Sequence, residues 1–210
     1  MTKALMEGIG AFFLVFTIGM TVIDPGAAGT LAPLAIGSVL MVMIFAGGHI
    51  SGGHYNPAVS LAVWMRGKLP LNDLLFYMVA QFIASLVAGV LVLYLKGFPT
   101  VTAGSPNSIH ALIAEFLFTF ALCFMVLNVA TAKGTSGNSF YGLAIGFTVM
   151  AGAFAVGPVS GGVFNPAVAL GITVMGLSPI VNIWIYLVAN FAAAAAAAYA
   201  FRFLSPEDAA

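Results

Sequence analysis

Two asparagines carry the chemistry that this sequence offers. Asn56-Pro57-Ala58-Val59 recurs 109 residues later as Asn165-Pro166-Ala167-Val168, and each copy follows a Ser-Gly-Gly triplet, at 51–53 and 160–162. Asparagine is a favoured helix N-cap and proline suits the first helical position, so each motif reads as a helix start. A helix N-terminus carries roughly +0.5 elementary charge. An asparagine that caps with its oxygen keeps an amide NH2 free to donate. Such a pair suits uncharged, hydrogen-bonding species and repels cations. The remaining reactive residue types are dispersed. The six acids and three histidines are scattered, and Cys123 stands alone in the apolar run Ala121-Leu122-Cys123-Phe124. No Ser/His/Asp, Cys/His or metal-ligand spacing occurs, so neither an enzyme nor a cofactor is expected.

The elements that position these motifs must lie in lipid. The chain is 62% hydrophobic and only 6% charged, against about a quarter charged in a soluble domain, so it cannot coat a soluble surface. Its formal net charge is zero, with no basic run to suggest nucleic acid. A bilayer core needs about 20 apolar helical residues. Runs of that kind fall near 4–23, 32–49, 72–95, 109–131, 139–157 and 180–203. Asp24-Pro25-Gly26, the stretch from Gly97 to Asn107, and Lys133-Gly134-Thr135-Ser136-Gly137 separate them with turn compositions. The first run could be taken for a signal peptide, but its recurrence in mid-chain argues against that.

Two apolar segments remain, near 50–68 and 159–177, each too short to span. They read as re-entrant half-helices. Before each asparagine the chain is expected to be non-helical, over Gly48, Ser51, Gly52 and Gly53 and again over Gly157, Pro158, Ser160, Gly161 and Gly162. Unpaired backbone at membrane depth is tolerated where it is buried or lines water. The carbonyls of Gly52, Gly53, His54 and Gly161 are therefore candidates for a pore-side ladder, the alternative being a merely packed loop. For His54 the backbone carbonyl is expected to matter more than the ring.

The repeat extends well beyond the motifs. Residues 34–61 align without gaps on 143–170, with 16 identities in 28 positions, so the halves are duplicates. Upstream, Glu7, Phe12 and Phe16 match Glu115, Phe120 and Phe124 at an offset of 108. The chain is thus expected to be one domain of two repeats, about 1–100 and 108–205, each with three spans and one half-helix. Three spans is an odd number, so the copies enter the membrane from opposite sides, with a functional site at their interface. With both termini cytoplasmic, Lys3, Arg66, Lys68, Lys133 and Arg202 lie inside and only Lys96 outside. Arg66 and Lys68 are read as topology determinants.

The stretch from Gly48 through Ser51-Gly52-Gly53-His54-Tyr55-Asn56-Pro57-Ala58-Val59 resembles the bacterial water-channel form of the aquaporin, or major intrinsic protein, motif. The resemblance covers essentially the whole chain. It implies an all-α aquaporin-like fold, a homotetramer with one pore per protomer, and passage of water or small uncharged solutes; the short loops and tails point to a multi-pass protein of the plasma membrane. Facing half-helix dipoles are a general cation barrier in aquaporin-type pores. Glu7 and Glu115, intramembrane acids that are functional candidates by default, resemble the family's buried acceptors for the re-entrant loops; a proton relay is the alternative.

The resemblance also exposes a departure. The family usually has arginine directly after the second Asn-Pro-Ala, where this chain has Val168. By motif offset the other three outer-filter positions fall at Ile36, Ala153 and Gly162. Water-selective members resemble Phe, His and a small residue there. The glycerol-type pattern is missing too, with Ala169 and Thr173 where those members tend to carry aspartate and lysine. Val168 admits three readings: a widened filter for polyols, urea or metalloid acids, a permissive water channel, or a pore occluded by another side chain. Outside the pore class stand a structural or adhesive membrane tetramer, disfavoured by short loops and tail, and an ion-leaky pore, disfavoured by the facing dipoles. His49 and His110 read as packing or end-of-helix residues, with a pH gate at His49 the sharper alternative. Met41, Met43, Met78, Met125 and Met150 read as filler, and Ala192 to Ala198 as a close-packing face.

Overall fold

The computed structural model describes residues 1–208. Its eight helices are α1 (Thr2–Val22), α2 (Ala32–Ser51), α3 (Pro57–Met65), α4 (Leu71–Leu95), α5 (Ser108–Thr131), α6 (Tyr141–Ser160), α7 (Pro166–Val174) and α8 (Ile183–Leu204). All but α3 and α7 are long and apolar enough to cross a membrane. At 1.5 Å per residue, the 25 residues of α4 reach about 37 Å, enough for a hydrocarbon core of about 30 Å. The nine residues of α3 or α7 reach about 14 Å, half a bilayer.

The halves repeat one arrangement. Helix α1 packs on α4 as α5 packs on α8, α1 on α2 as α5 on α6, and α2 crosses α6 between the halves. Each half-helix also lies on the other half's last long helix, α3 on α8 and α7 on α4. Even side-chain pairs recur: Phe12 stacks on Phe16, and Phe120 on Phe124.

With apolar side chains on all faces, hydrophobicity cannot choose which face turns inward, and small residues do so instead. Gly37 and Gly146 let α2 and α6 approach backbone to backbone. Ala193, Ala194, Ala197 and Ala198 of α8 are buried within the protomer, so one face of the alanine run packs inside this chain, while Ala192 stays exposed. Large side chains such as Phe76, Val90, Ile113, Leu117 and Phe147 stay exposed on the outer faces.

Charge gathers at the ends. Lys3 pairs with Asp73 at 3.3 Å. Arg66, read from the sequence as a topology determinant, is buried. Its guanidinium lies 3.7 Å from Asp208 and stacks over Phe201, because the turn at 206–208 folds back beneath α3. Asp208 also accepts from Lys133 N at 3.1 and 3.2 Å. At the other end Lys96 Nζ donates to Asp24 O.

The crossing of α2 and α6 has no room for a side chain. A Cβ on Gly146 would lie 2.5 Å from Gly37 O and 2.8 Å from Met41 Cβ. Gly146→Val is expected to lose about 1–3 kcal/mol of stability, the usual cost of overpacking, read as a lower thermal unfolding midpoint in detergent.

Candidate functional site

The approach to each asparagine begins with a helix stop. Gly52 and Gly161 cap α2 and α6 at φ 95° and 98°, a left-handed conformation that glycine adopts without strain, and their N–H groups bond to Gly48 O and Gly157 O. The helices thus run further than expected. Gly48, Ser51, Gly157, Pro158 and Ser160 are helical rather than irregular, since the stop signal is the left-handed glycine and Pro158 sits in the last turn of α6. The irregular backbone is confined to 52–55 and 161–164. Both loops follow one path, including positive φ at Tyr55 (49°) and Phe164 (48°). A non-glycine residue held there costs about 1–3 kcal/mol and needs its surroundings to hold it.

Glu7 and Glu115 supply that hold. Glu7 accepts from Ser51 Oγ (2.6 Å), His54 N (2.9 Å), Tyr55 N and Gln81 Nε2 (2.8 Å). Glu115 accepts from Ser160 Oγ (2.7 Å), Val163 N (2.9 Å) and Phe164 N (2.7 Å). Both carboxyl groups are fully buried. Tyr77 and Tyr186 complete each clamp, donating to Ser51 O (2.7 Å) and Ser160 O (3.0 Å). Sequence reasoning passed over Tyr77, and Gln81 and Asn190 as well, although both Tyr77/Tyr186 and Gln81/Asn190 obey the repeat offset of 109. Oriented so that its oxygen faces the Asn165 N–H, which needs an acceptor, the Asn190 amide accepts from Asn165 N through Oδ1 (2.9 Å) and donates to Thr119 Oγ1 through Nδ2 (2.9 Å).

The asparagines meet where the half-helices begin. Asn56 Oδ1 accepts from Ala58 N and Asn165 Oδ1 from Ala167 N, both at 2.9 Å, so each caps its own helix. Each amide then reaches across the repeat boundary. Asn56 Nδ2 donates to Phe164 O and Asn165 Nδ2 to Tyr55 O, again at 2.9 Å. The amides are therefore not wholly free: one N–H of each links the halves, and one remains. Pro57, Ala58, Pro166 and Ala167 are buried behind them.

A cavity of about 480 Å³ runs from Thr30, Ala32 and Pro33 at one end of the protein down to both asparagines. Ile36, Ala153, Gly162 and Val168 all line it, as do Gly53, His54 and Gly161. Most of the remaining wall is hydrocarbon, including Leu14, Ile18, Leu40, Val149 and Ile172. Gly52 opens instead on a second cavity of about 310 Å³, together with Lys68 and Asp73. Among the described residues no protein group donates to the carbonyls of Gly52, Gly53, His54 or Gly161, whereas those of Tyr55 and Phe164 are taken by the asparagines. Also among the described residues, no cluster of His, Cys, Asp or Glu is placed to hold a metal.

Removing a carboxyl clamp should unfold its loop. Glu115→Leu strands three donors and Glu7→Leu four, at about 1–3 kcal/mol for each buried group left unpaired. The expected order of thermal stability in detergent is wild type, then Glu115→Leu, then Glu7→Leu.

Comparison with known proteins agrees with this architecture. The Major intrinsic protein family model matches residues 1–201. Aquaporin NIP1-1 of Oryza sativa subsp. japonica is 38% identical over 213 residues, covering 96% of this chain and 74% of that protein. Nodulin-26 of Glycine max is 36% identical over 215 residues, covering 98% and 79%. The X-ray structure of the aquaglyceroporin from Plasmodium falciparum superposes with a TM-score of 0.83 at 21% identity, covering 99% of this chain and 98% of that one, a likeness of fold. With residues 1–201 matched and its two asparagine-capped half-helices meeting end to end, the chain belongs to the major intrinsic protein family, whose members are membrane channels and not enzymes.

Proposed function

We propose that this protein is a passive transmembrane channel for water and small uncharged solutes, with the 480 Å³ cavity and the asparagine pair as its pore. The observation that carries the reading is the meeting of two half-helix N-termini at the inner end of that cavity, each with one amide N–H still to give. A crossing solute finds donors at the asparagines and unclaimed carbonyls at Gly52, Gly53, His54, Gly161 and Gly162. A cation finds two positive helix ends.

The outer filter at Ile36, Ala153, Gly162 and Val168 is read as widened. All four line one uninterrupted cavity, and none supplies a side-chain charge or hydrogen-bond donor. Selectivity by diameter and by lining donors is accordingly relaxed at that depth. Solutes larger than water, such as polyols, urea or metalloid acids, fit this reading, and the similarity to plant aquaporins and to nodulin-26 supports a channel role. Glu7 and Glu115 act as loop supports, their accepting positions being filled by loop donors, rather than as a proton relay. Both termini are placed on the cytoplasmic side because the basic residues gather near one end of the bundle, and the plasma membrane is the proposed location. Homotetrameric assembly is part of the same proposal, with the apolar outer faces shared between lipid and neighbouring protomers.

Stopped-flow light scattering of liposomes after a glycerol shock tests this reading. Fast shrinkage followed by fast re-swelling, both relative to empty liposomes, is the expected trace. Shrinkage without re-swelling would reduce the protein to a water channel, and two phases matching empty liposomes would remove the transport reading. Val168→Arg should slow re-swelling several-fold while shrinkage remains fast.

A further inference from the structure

The outer cavity does not end at its filter residues but at one place further in. His54 and Val126 line both the 480 Å³ cavity and the 310 Å³ cavity beyond it, and they are the two residues common to both walls. The pseudo-symmetry supplies an internal control. By the repeat offsets, His54 and Val126 correspond to Val163 and Ile18. That counterpart pair lines the outer cavity without interrupting it. The same fold position thus lines a single cavity on one side of the asparagines and stands where two cavities adjoin on the other, and the side chains at the two positions differ.

The His54 ring is held by a chain of buried polar groups that repeat 2 lacks. Gln81 Nε2 faces Glu7 Oε2 at 2.8 Å, which identifies it as the amide nitrogen, since the oxygen there would oppose another acceptor. The same nitrogen donates to Ser60 Oγ at 3.1 Å. Ser60 Oγ lies 3.1 Å from His54 Nδ1, and among the described residues it has no other side-chain partner. With its oxygen already accepting from Gln81, the Ser60 hydroxyl has its proton to give, and Nδ1 is the acceptor within reach. His54 Nδ1 is then unprotonated and Nε2 bears the ring proton. Among the described residues Nε2 has no hydrogen-bond partner, and it lies beside Gly52, where an added Cβ would come within 3.0 Å of it. The ring packs edge-on against Tyr77, with centroids 5.4 Å apart. In repeat 2, Val163 and Ala169 stand where His54 and Ser60 stand in repeat 1.

Resting on the channel reading above, we infer that solute size is selected at an inner constriction between His54 and Val126, not at the outer filter, and that His54 offers its Nε2–H to the passing solute there. Gln81 and Ser60 are positioning residues that set the ring's tautomer. The solute class this suits is small, neutral and able to accept a hydrogen bond, with the hydrocarbon of Val126 opposite the donor.

The test is the size cut-off of the full-length protein in liposomes, measured by stopped flow with urea, glycerol and erythritol in turn. Val126→Ala should raise the erythritol rate several-fold relative to urea, and Val126→Leu should lower glycerol relative to water. The symmetry-related Ile18→Ala should shift the cut-off less than Val126→Ala does. A cut-off that follows Ile18, or that neither position moves, overturns the constriction. A wild-type protein that passes neither water nor urea would instead remove the channel reading, so the two failures are distinct. Solid-state nitrogen NMR of histidine-labelled protein reads the positioning chain directly, with a His54→Asn sample assigning the signal among the three histidines. An unprotonated Nδ1 in the wild type, partly converted to the other tautomer in Gln81→Leu, is the expected result. A protonated Nδ1 in the wild type, or a tautomer indifferent to Gln81, overturns the donor assignment.

Discussion

Irregular backbone at the depth of a bilayer has no water to bond with, and every polar group there must find a partner or line a wet cavity. Two loops of this protein stand in that position, and the rest of the structure answers to them. Glu7 and Glu115 reach from the first helix of each half to collect the loop N–H groups, which leaves the loop carbonyls facing the other way. Glycine at 52 and 161 stops the preceding helix and turns the chain, and asparagine at 56 and 165 starts the next. The reciprocal bonds from each asparagine to the other loop then make the halves mutually dependent. Neither loop can shift without releasing an acceptor in the other.

Upon this symmetric frame the side chains are not symmetric. Repeat 1 places His54, Ser60 and Gln81 around its carboxyl, and repeat 2 places Val163, Ala169 and Asn190 at the same positions. One face of the asparagine pair therefore carries an imidazole with its own hydrogen-bonded support, while the other opens into a largely hydrocarbon cavity. Val168, which carries no charge, fits the same pattern. In the proposed channel, polar side-chain recognition is then thinned on the Val168 side of the asparagines and retained on the His54 side, with the N-termini of α3 and α7 between them.

Much of this was legible in the residues. Apolar run length located the six spans to within a few residues, and the repeated Asn-Pro-Ala gave the half-helices and their caps. What periodicity could not supply was direction. These helices are apolar all round, so which side faces inward depends on glycine and alanine contacts that emerge only on packing, as at Gly37 and Gly146. The helix ends at Ser51 and Ser160 were placed too early because glycine at 48 and 157 reads as a breaker, whereas the left-handed stop comes at 52 and 161. The pairing of Arg66 is not legible in the sequence because its partner, Asp208, lies 142 residues away and reaches it only when the C-terminal turn folds back. The role of the His54 ring is hidden in the sequence because Ser60 and Gln81 take on meaning only once α3 and α4 are side by side, though comparing the repeats position by position marks His54 and Ser60 as polar residues that repeat 2 replaces with Val163 and Ala169.

In the proposed pore, two facing helix ends and their asparagines suffice to reject charge without an arginine at position 168. The most direct test is proton flux in liposomes already shown to conduct solute, loaded with a pH-sensitive dye and given an inside-negative potassium diffusion potential. The account predicts dye acidification no faster than in empty liposomes while solute exchange stays fast. Acidification that rises with protein content would contradict it, and would mean that the barrier at Asn56 and Asn165 does not hold on its own.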